Sequence, residues 1–188
     1  DGAGDFNVFL GEGSGGGATQ TNDADGNIGV GYNSLNGVTT GASNVGVGKD
    51  ALVTLSTGTD NVAIGIKALE ALTDSQYNVG IGRQAAFKIT TGDKNISIGA
   101  GTLATATTAS NIIAIGHDAA YSVSASNTAS DGTIAIGTSA LNALTSGNGN
   151  TAIGYQAMIT ASSSSESTIM GYEAGMTLAG THSNSFIG

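Results

Sequence analysis

Residues able to do chemistry are few in this chain, and they do not stand in reactive company. There are two histidines, His117 and His182, and no cysteine in 188 residues. His117 follows a repeated glycine, in a column otherwise filled by Tyr32, Lys49, Ile66, Arg83, Ala100, Thr138, Tyr155 and Tyr172. So mixed a column reads as a surface. Asn22-Asp23-Ala24-Asp25-Gly26-Asn27 looks like part of a calcium loop. The EF-hand series wants a carboxylate at the place of Thr21 and a distal glutamate, so the segment reads as an acidic turn. Gly46-Val-Gly48 and Gly80-Ile-Gly82 are fragments of a dinucleotide fingerprint, but no helix of useful length follows either. No Ser/His/Asp set, metal-spaced histidine pair or paired carboxylates stands out. The expectation is a chain without catalysis, cofactor or metal.

The elements that would position any site are set by a period. Gly31, Gly48, Gly65, Gly82, Gly99 and Gly116 stand 17 residues apart, as do Gly137, Gly154, Gly171 and Gly188. Gly11 leads the series, and one phrase returns around each glycine, as in Asn44-Val-Gly-Val-Gly48 and Asn78-Val-Gly-Ile-Gly82. A fixed short period means stacked coils rather than a globule around one core. Three residues and one residue before the glycine stand Val or Ile in most coils, with Gly, Ala or Ser between them. Apolar–small–apolar on β-branched residues predicts a short strand with one face buried. The glycine ends the strand at a tight corner.

After the corner comes a small column (Ala51, Ala68, Ala85), then a leucine column (Leu35, Leu52, Leu69), then a second apolar column (Val38, Leu55, Leu72). Spacings of three and four also suit one turn of helix over Ala68–Leu72. A second corner follows at Gly41, Gly58, Gly92 and Gly147. The fold predicted is all-β: a parallel β-solenoid (β-roll) of about ten 17-residue coils. It forms one repeat array over residues 1–188, with loop insertions near 15–25 and 126–131. Four positions before the glycine, Asn44, Asn61, Asn78 and Asn95 begin a column that predicts an amide ladder. With Gly48, Gly65, Gly82 and Gly99 they form the structural frame. The ladder breaks at Ile112, Thr133 and Ser167.

Composition narrows the function. The chain holds 31 glycines, no proline and no tryptophan. Glycine off a three-residue period, without proline, excludes collagen. A net charge of −9, with five Lys and Arg, excludes a nucleic-acid footprint and disfavours anionic membrane surfaces. No apolar run approaches the roughly 20 residues that span a bilayer. The chain begins and ends in mid-phrase, which suggests a segment of a longer array or a processed product.

Asn61-Val-Ala-Ile-Gly65 and Asn150-Thr-Ala-Ile-Gly-Tyr-Gln-Ala157 resemble the head repeats of trimeric autotransporter adhesins and similar repeats of phage tail fibres. The resemblance covers Asn7 to Gly188. It implies three β-roll chains packed side by side into an extracellular fibre, on a virion tail or a bacterial surface. Its partners are then two further copies of itself and a cell-surface glycan or protein. Surplus apolar columns on so thin a coil also favour burial against neighbouring chains. Candidate receptor contacts are Tyr32, Tyr155 and Tyr172, whose rings suit glycan or protein contact, together with Ser126 and Asp131 in the insertion. Two alternatives remain. Thr40, Thr57, Thr91 and Thr108 line up as in an ice-binding solenoid. Ile64-Gly65-Ile66-Lys67-Ala68-Leu69 resembles the hexapeptide pattern of left-handed β-helix acyltransferases, which place Ile in the core and a histidine between subunits.

Overall fold

A computed structural model describes residues 6–21, 23–123, 131–178 and 182–188. Eleven three-residue strands form one parallel sheet in chain order. They are β1 Val8–Leu10, β2 Ile28–Val30, β3 Val45–Val47, β4 Val62–Ile64, β5 Val79–Ile81 and β6 Ile96–Ile98. The rest are β7 Ile113–Ile115, β8 Ile134–Ile136, β9 Thr151–Ile153, β10 Thr168–Met170 and β11 Ser185–Ile187. Each strand pairs in register with the same phrase one coil away, as Val45 with Val62 and Val47 with Ile64. The molecule is a β-solenoid of about ten turns at about 4.8 Å per coil, and no helix occurs among the described residues.

From β2 to β9 the inward face of each strand is the small one, with Phe9 in β1 and Ile169 in β10 as larger inward residues. Ala63, Ser97, Ala114, Ala135 and Ala152 are fully buried, while the Val and Ile on either side are half-exposed or exposed. Size alone suggests the reverse. The reason lies across the coil, where Leu35, Leu52, Leu69, Leu103 and Leu141 fill the interior. A Cβ added at Gly80 would stand 2.9 Å from Leu69 Cγ, and one at Gly46 would stand 3.2 Å from Leu35 Cγ. The core is therefore a leucine column wedged between the small strand column and the small residues after the corner, Ala51, Ala68, Ala119 and Ala140. A second row, Val38, Leu55, Leu72, Ile89, Val123 and Leu144, closes it.

The segment after the corner is a pair of tight turns and not a helical turn. Lys67 has φ of 60° and Leu69 of 50°, and the same two columns are left-handed in coil after coil. Such a backbone is uncommon for a side-chain-bearing residue and costs leucine about 1–2 kcal/mol. Burying the leucine side chain returns about 1.5–3 kcal/mol, which decides the matter. The phrase glycine is required twice over. Gly65 has φ of 134°, and a Cβ there would meet the Gly82 carbonyl oxygen at 2.6 Å. The insertion near 126–131 lies outside the described residues except for Asp131. That near 15–25 is drawn in by Gln20 Nε2, which donates to the Gly15 carbonyl at 2.6 Å.

Candidate functional site

The outer face of the sheet is the largest feature built by the repeat. From β1 to β11 its two columns are Val, Ile, Leu or Met at most positions, with Thr151, Thr168 and Ser185 towards the end. No charged residue interrupts either column. Val8, Leu10, Ile28, Ile64 and Met170 are exposed on a single chain. The result is a continuous apolar ladder with a rung at every coil.

Behind the ladder runs the asparagine column, which holds the coils in register. Asn61 is fully buried. Its Nδ2 donates to Asn44 Oδ1 at 3.0 Å and to the Ser75 carbonyl at 2.8 Å. Its Oδ1 accepts from the Asn78 backbone N–H at 3.0 Å and from Asn78 Nδ2 at 3.2 Å. Asn95 repeats the pattern on Asn78 and the Ala109 carbonyl. One amide thus ties three places: the coil before, the coil after and the second corner. At Ile112 the backbone N–H still donates to Asn95 Oδ1, and the buried Thr133 hydroxyl has no partner among the described residues.

The tyrosines share one outer column but not one place. Tyr155 and Tyr172, on adjacent coils, stack at 5.2 Å between ring centroids and 14° between planes. A hydrogen bond to Glu173, reinforced by that carboxylate's charge, holds the Tyr172 phenol above its ordinary value of 10.0. Tyr32 lies seven coils away, with Lys49 Nζ 5.7 Å from its ring centroid. Asp131 is engaged in the frame, since its Oδ1 accepts from the Ser110 backbone N–H at 3.0 Å. Ser126 lies outside the described residues.

Of the residues with chemical potential, His117 Nδ1 sits 3.1 Å from Asp118 Oδ2 on the surface. His182 is exposed and itself forms an isolated parallel bridge with Ser165. Among the described residues no three His, Asp or Glu side chains gather closely enough to hold a metal ion. Asp25 Oδ1 accepts from the Gly26 backbone N–H at 2.8 Å, a local turn. The hydroxyls of Thr39, Thr73 and Thr90 donate to carbonyls one coil on, at 3.0 to 3.1 Å, so they serve the stack. The outer threonines Thr40, Thr57 and Thr91 are interrupted by Asp74. Sequence reasoning did not single out Arg83, Phe87, Lys88 and Tyr121, which line one cavity with His117. No family model, curated protein or solved structure matches the chain, so the reading of its surface rests on its own geometry.

Proposed function

We propose that this chain is a segment of a homotrimeric fibre that gives reach and surface attachment, outside the cell, on a virion tail or a bacterial surface. The observation that carries the reading is the uncharged Val/Ile ladder on the outer face of the sheet. A lone solenoid would leave it in water, where so long an apolar patch invites association. Burying it returns about 25 cal/mol for each Å² of apolar surface. A partner that covers every rung must repeat at the same axial spacing. A second copy of this chain has that spacing by construction, and a closed three-fold ring avoids runaway growth.

In this reading the role is mechanical: stacked coils hold the rod, and the outer columns away from the ladder meet the target surface. The stacked Tyr155 and Tyr172, the latter 71% exposed, offer a flat amphipathic platform there. The test is the mass of the purified chain in solution by light scattering coupled to size exclusion. Three times 18.2 kDa with an elongated profile is expected. A monomer that stays monomeric as concentration rises would sink the fibre.

A further inference from the structure

A notch interrupts the outer surface at the coil of Gly99. At one, two and five residues past the glycine this coil carries only Ala100, Gly101 and Ala104. The coil before it places Arg83, Gln84 and Phe87 in those columns, and the coil after it places His117, Asp118 and Tyr121. Together they enclose a cavity of about 280 Å³, with Lys88 on its wall. The missing side chain at Gly101 makes room on the floor for the Asp118 carboxylate and the edge of the Tyr121 ring. A Cβ there would run into the Asp118 carboxylate and stand 3.8 Å from the Tyr121 ring. The neighbouring coils fill the same column with Gln84 and Asp118, so the gap belongs to this coil.

Phe87 and Tyr121 occupy the same column two coils apart, a separation of about 9.6 Å from the coil spacing. Carbon atoms rest at about 3.5–4.0 Å in contact, so the gap over Ala104 takes one saturated ring touching both walls. Lys67 Nζ lies 5.7 Å from the Phe87 centroid, and Lys67 belongs to the coil on the far side from the notch. Arg83 and Lys88 make no ion pair among the described residues, whereas the Asp118 carboxylate lies against His117 Nδ1 at 3.1 Å. Two of the chain's five Lys and Arg thus stand unpaired at one aromatic-walled notch, on a protein of net charge −9.

We infer that this notch binds a pyranose bearing a single carboxylate, as an acidic end or branch of a surface glycan. This names the ligand class of the attachment proposed above and rests on that reading, but it does not require the trimer. The sugar ring packs between Phe87 and Tyr121, and the Arg83 fork takes the carboxylate through paired charge-assisted hydrogen bonds. Asp118 accepts from ring hydroxyls. The overall negative charge turns away long polyanions and leaves room for one acidic unit held in a local positive field.

The probes are methyl β-D-glucuronide and methyl β-D-glucoside, titrated into the full ¹⁵N-labelled chain at low salt and followed by NMR. Saturable shifts at Gly101, Ala104 and Tyr121 are expected, with the glucuronide tighter by about tenfold, the effect of one charged hydrogen-bonded contact. Arg83→Gln, at an exposed position, should erase that preference. Ala104→Phe should abolish both while leaving distant coils unshifted, because Phe87 and Tyr121 already occupy its column. Equal affinity for the two sugars, no saturable shift, or an unaffected Arg83→Gln variant would overturn the assignment. Tighter binding of adenosine 5′-monophosphate than of the glucuronide would give the notch to a nucleotide instead. Light scattering on the same sample reports the trimer separately, so failure of one reading is distinguishable from failure of the other.

Discussion

A single buried amide shows how the repeat converts spacing into stability. Asn61 donates to three carbonyl or amide oxygens, those of Asn44, Thr59 and Ser75, and accepts twice from Asn78. Replacing it with alanine removes one side chain and orphans groups on three segments. Each buried unsatisfied group costs about 1–3 kcal/mol, and neighbours relax in part. Asn61→Ala is therefore expected to lower the unfolding free energy by about 2–4 kcal/mol, read as a lower urea midpoint. A shift below about 0.5 kcal/mol, the level of an ordinary surface change, would mean that water substitutes for the amide. The asparagine and glycine columns were legible in the sequence, because only stacking in register gives one residue type a fixed period. The left-handed Leu69 was not, since nothing in leucine's own preferences points to φ of 50°. Only the wedge-shaped interior that receives its side chain makes that backbone worthwhile.

At the scale of the strand, position was legible and orientation was not. The phrase Val79-Gly80-Ile81 marks a strand by its alternation, and β5 spans those three residues. Which face turns inward depends on what stands across the coil, and Leu69 already occupies that space. The smallness of the middle column from Gly29 to Ala152 was the available signal: a surface column would have varied, as the one holding His117 does. This orientation gives two substitutions opposite fates. Ile81→Asp places a charge on the outer ladder, so the chain should keep its solenoid and lose the association proposed for that face. Leu69→Asp buries an unpaired carboxylate in the leucine column, and the chain should not fold. Circular dichroism and light scattering on the pair separate the outcomes, and an unfolded Ile81→Asp chain would show that the ladder faces the core. The notch stayed hidden for a related reason. It is a shortage of side chains in one coil, visible only once Arg83, Ala100 and His117 are stacked side by side.

Across the whole molecule each strand bonds only to its sequence neighbours, so stability is a sum of coil terms and neighbour terms rather than one shared core. The neighbour terms are not uniform. From Asn27 to Asn95 the amide column is continuous, whereas Ile112 brings no side-chain amide and Thr133 buries a hydroxyl without a partner among the described residues. The backbone bonds are alike on both sides of the break. Val79 N–H donates to the Asn95 carbonyl at 2.8 Å and Ile134 N–H to the Asn150 carbonyl at 2.7 Å. Exchange of these two amides with deuterium therefore reports how readily each region opens, with local geometry held nearly constant. A loss of about 1.4 kcal/mol, within the range of one or two buried hydrogen bonds, is a factor of ten. Ile113 and Ile134 are expected to exchange at least about tenfold faster than Val62 and Val79. If all four exchange together, the array opens as one unit, and the amide column aligns coils without setting where the rod first comes apart. If they separate as expected, the rod has a joint between β6 and β9, and of the notch's walls only the one carrying His117 and Tyr121 belongs to the region that opens first.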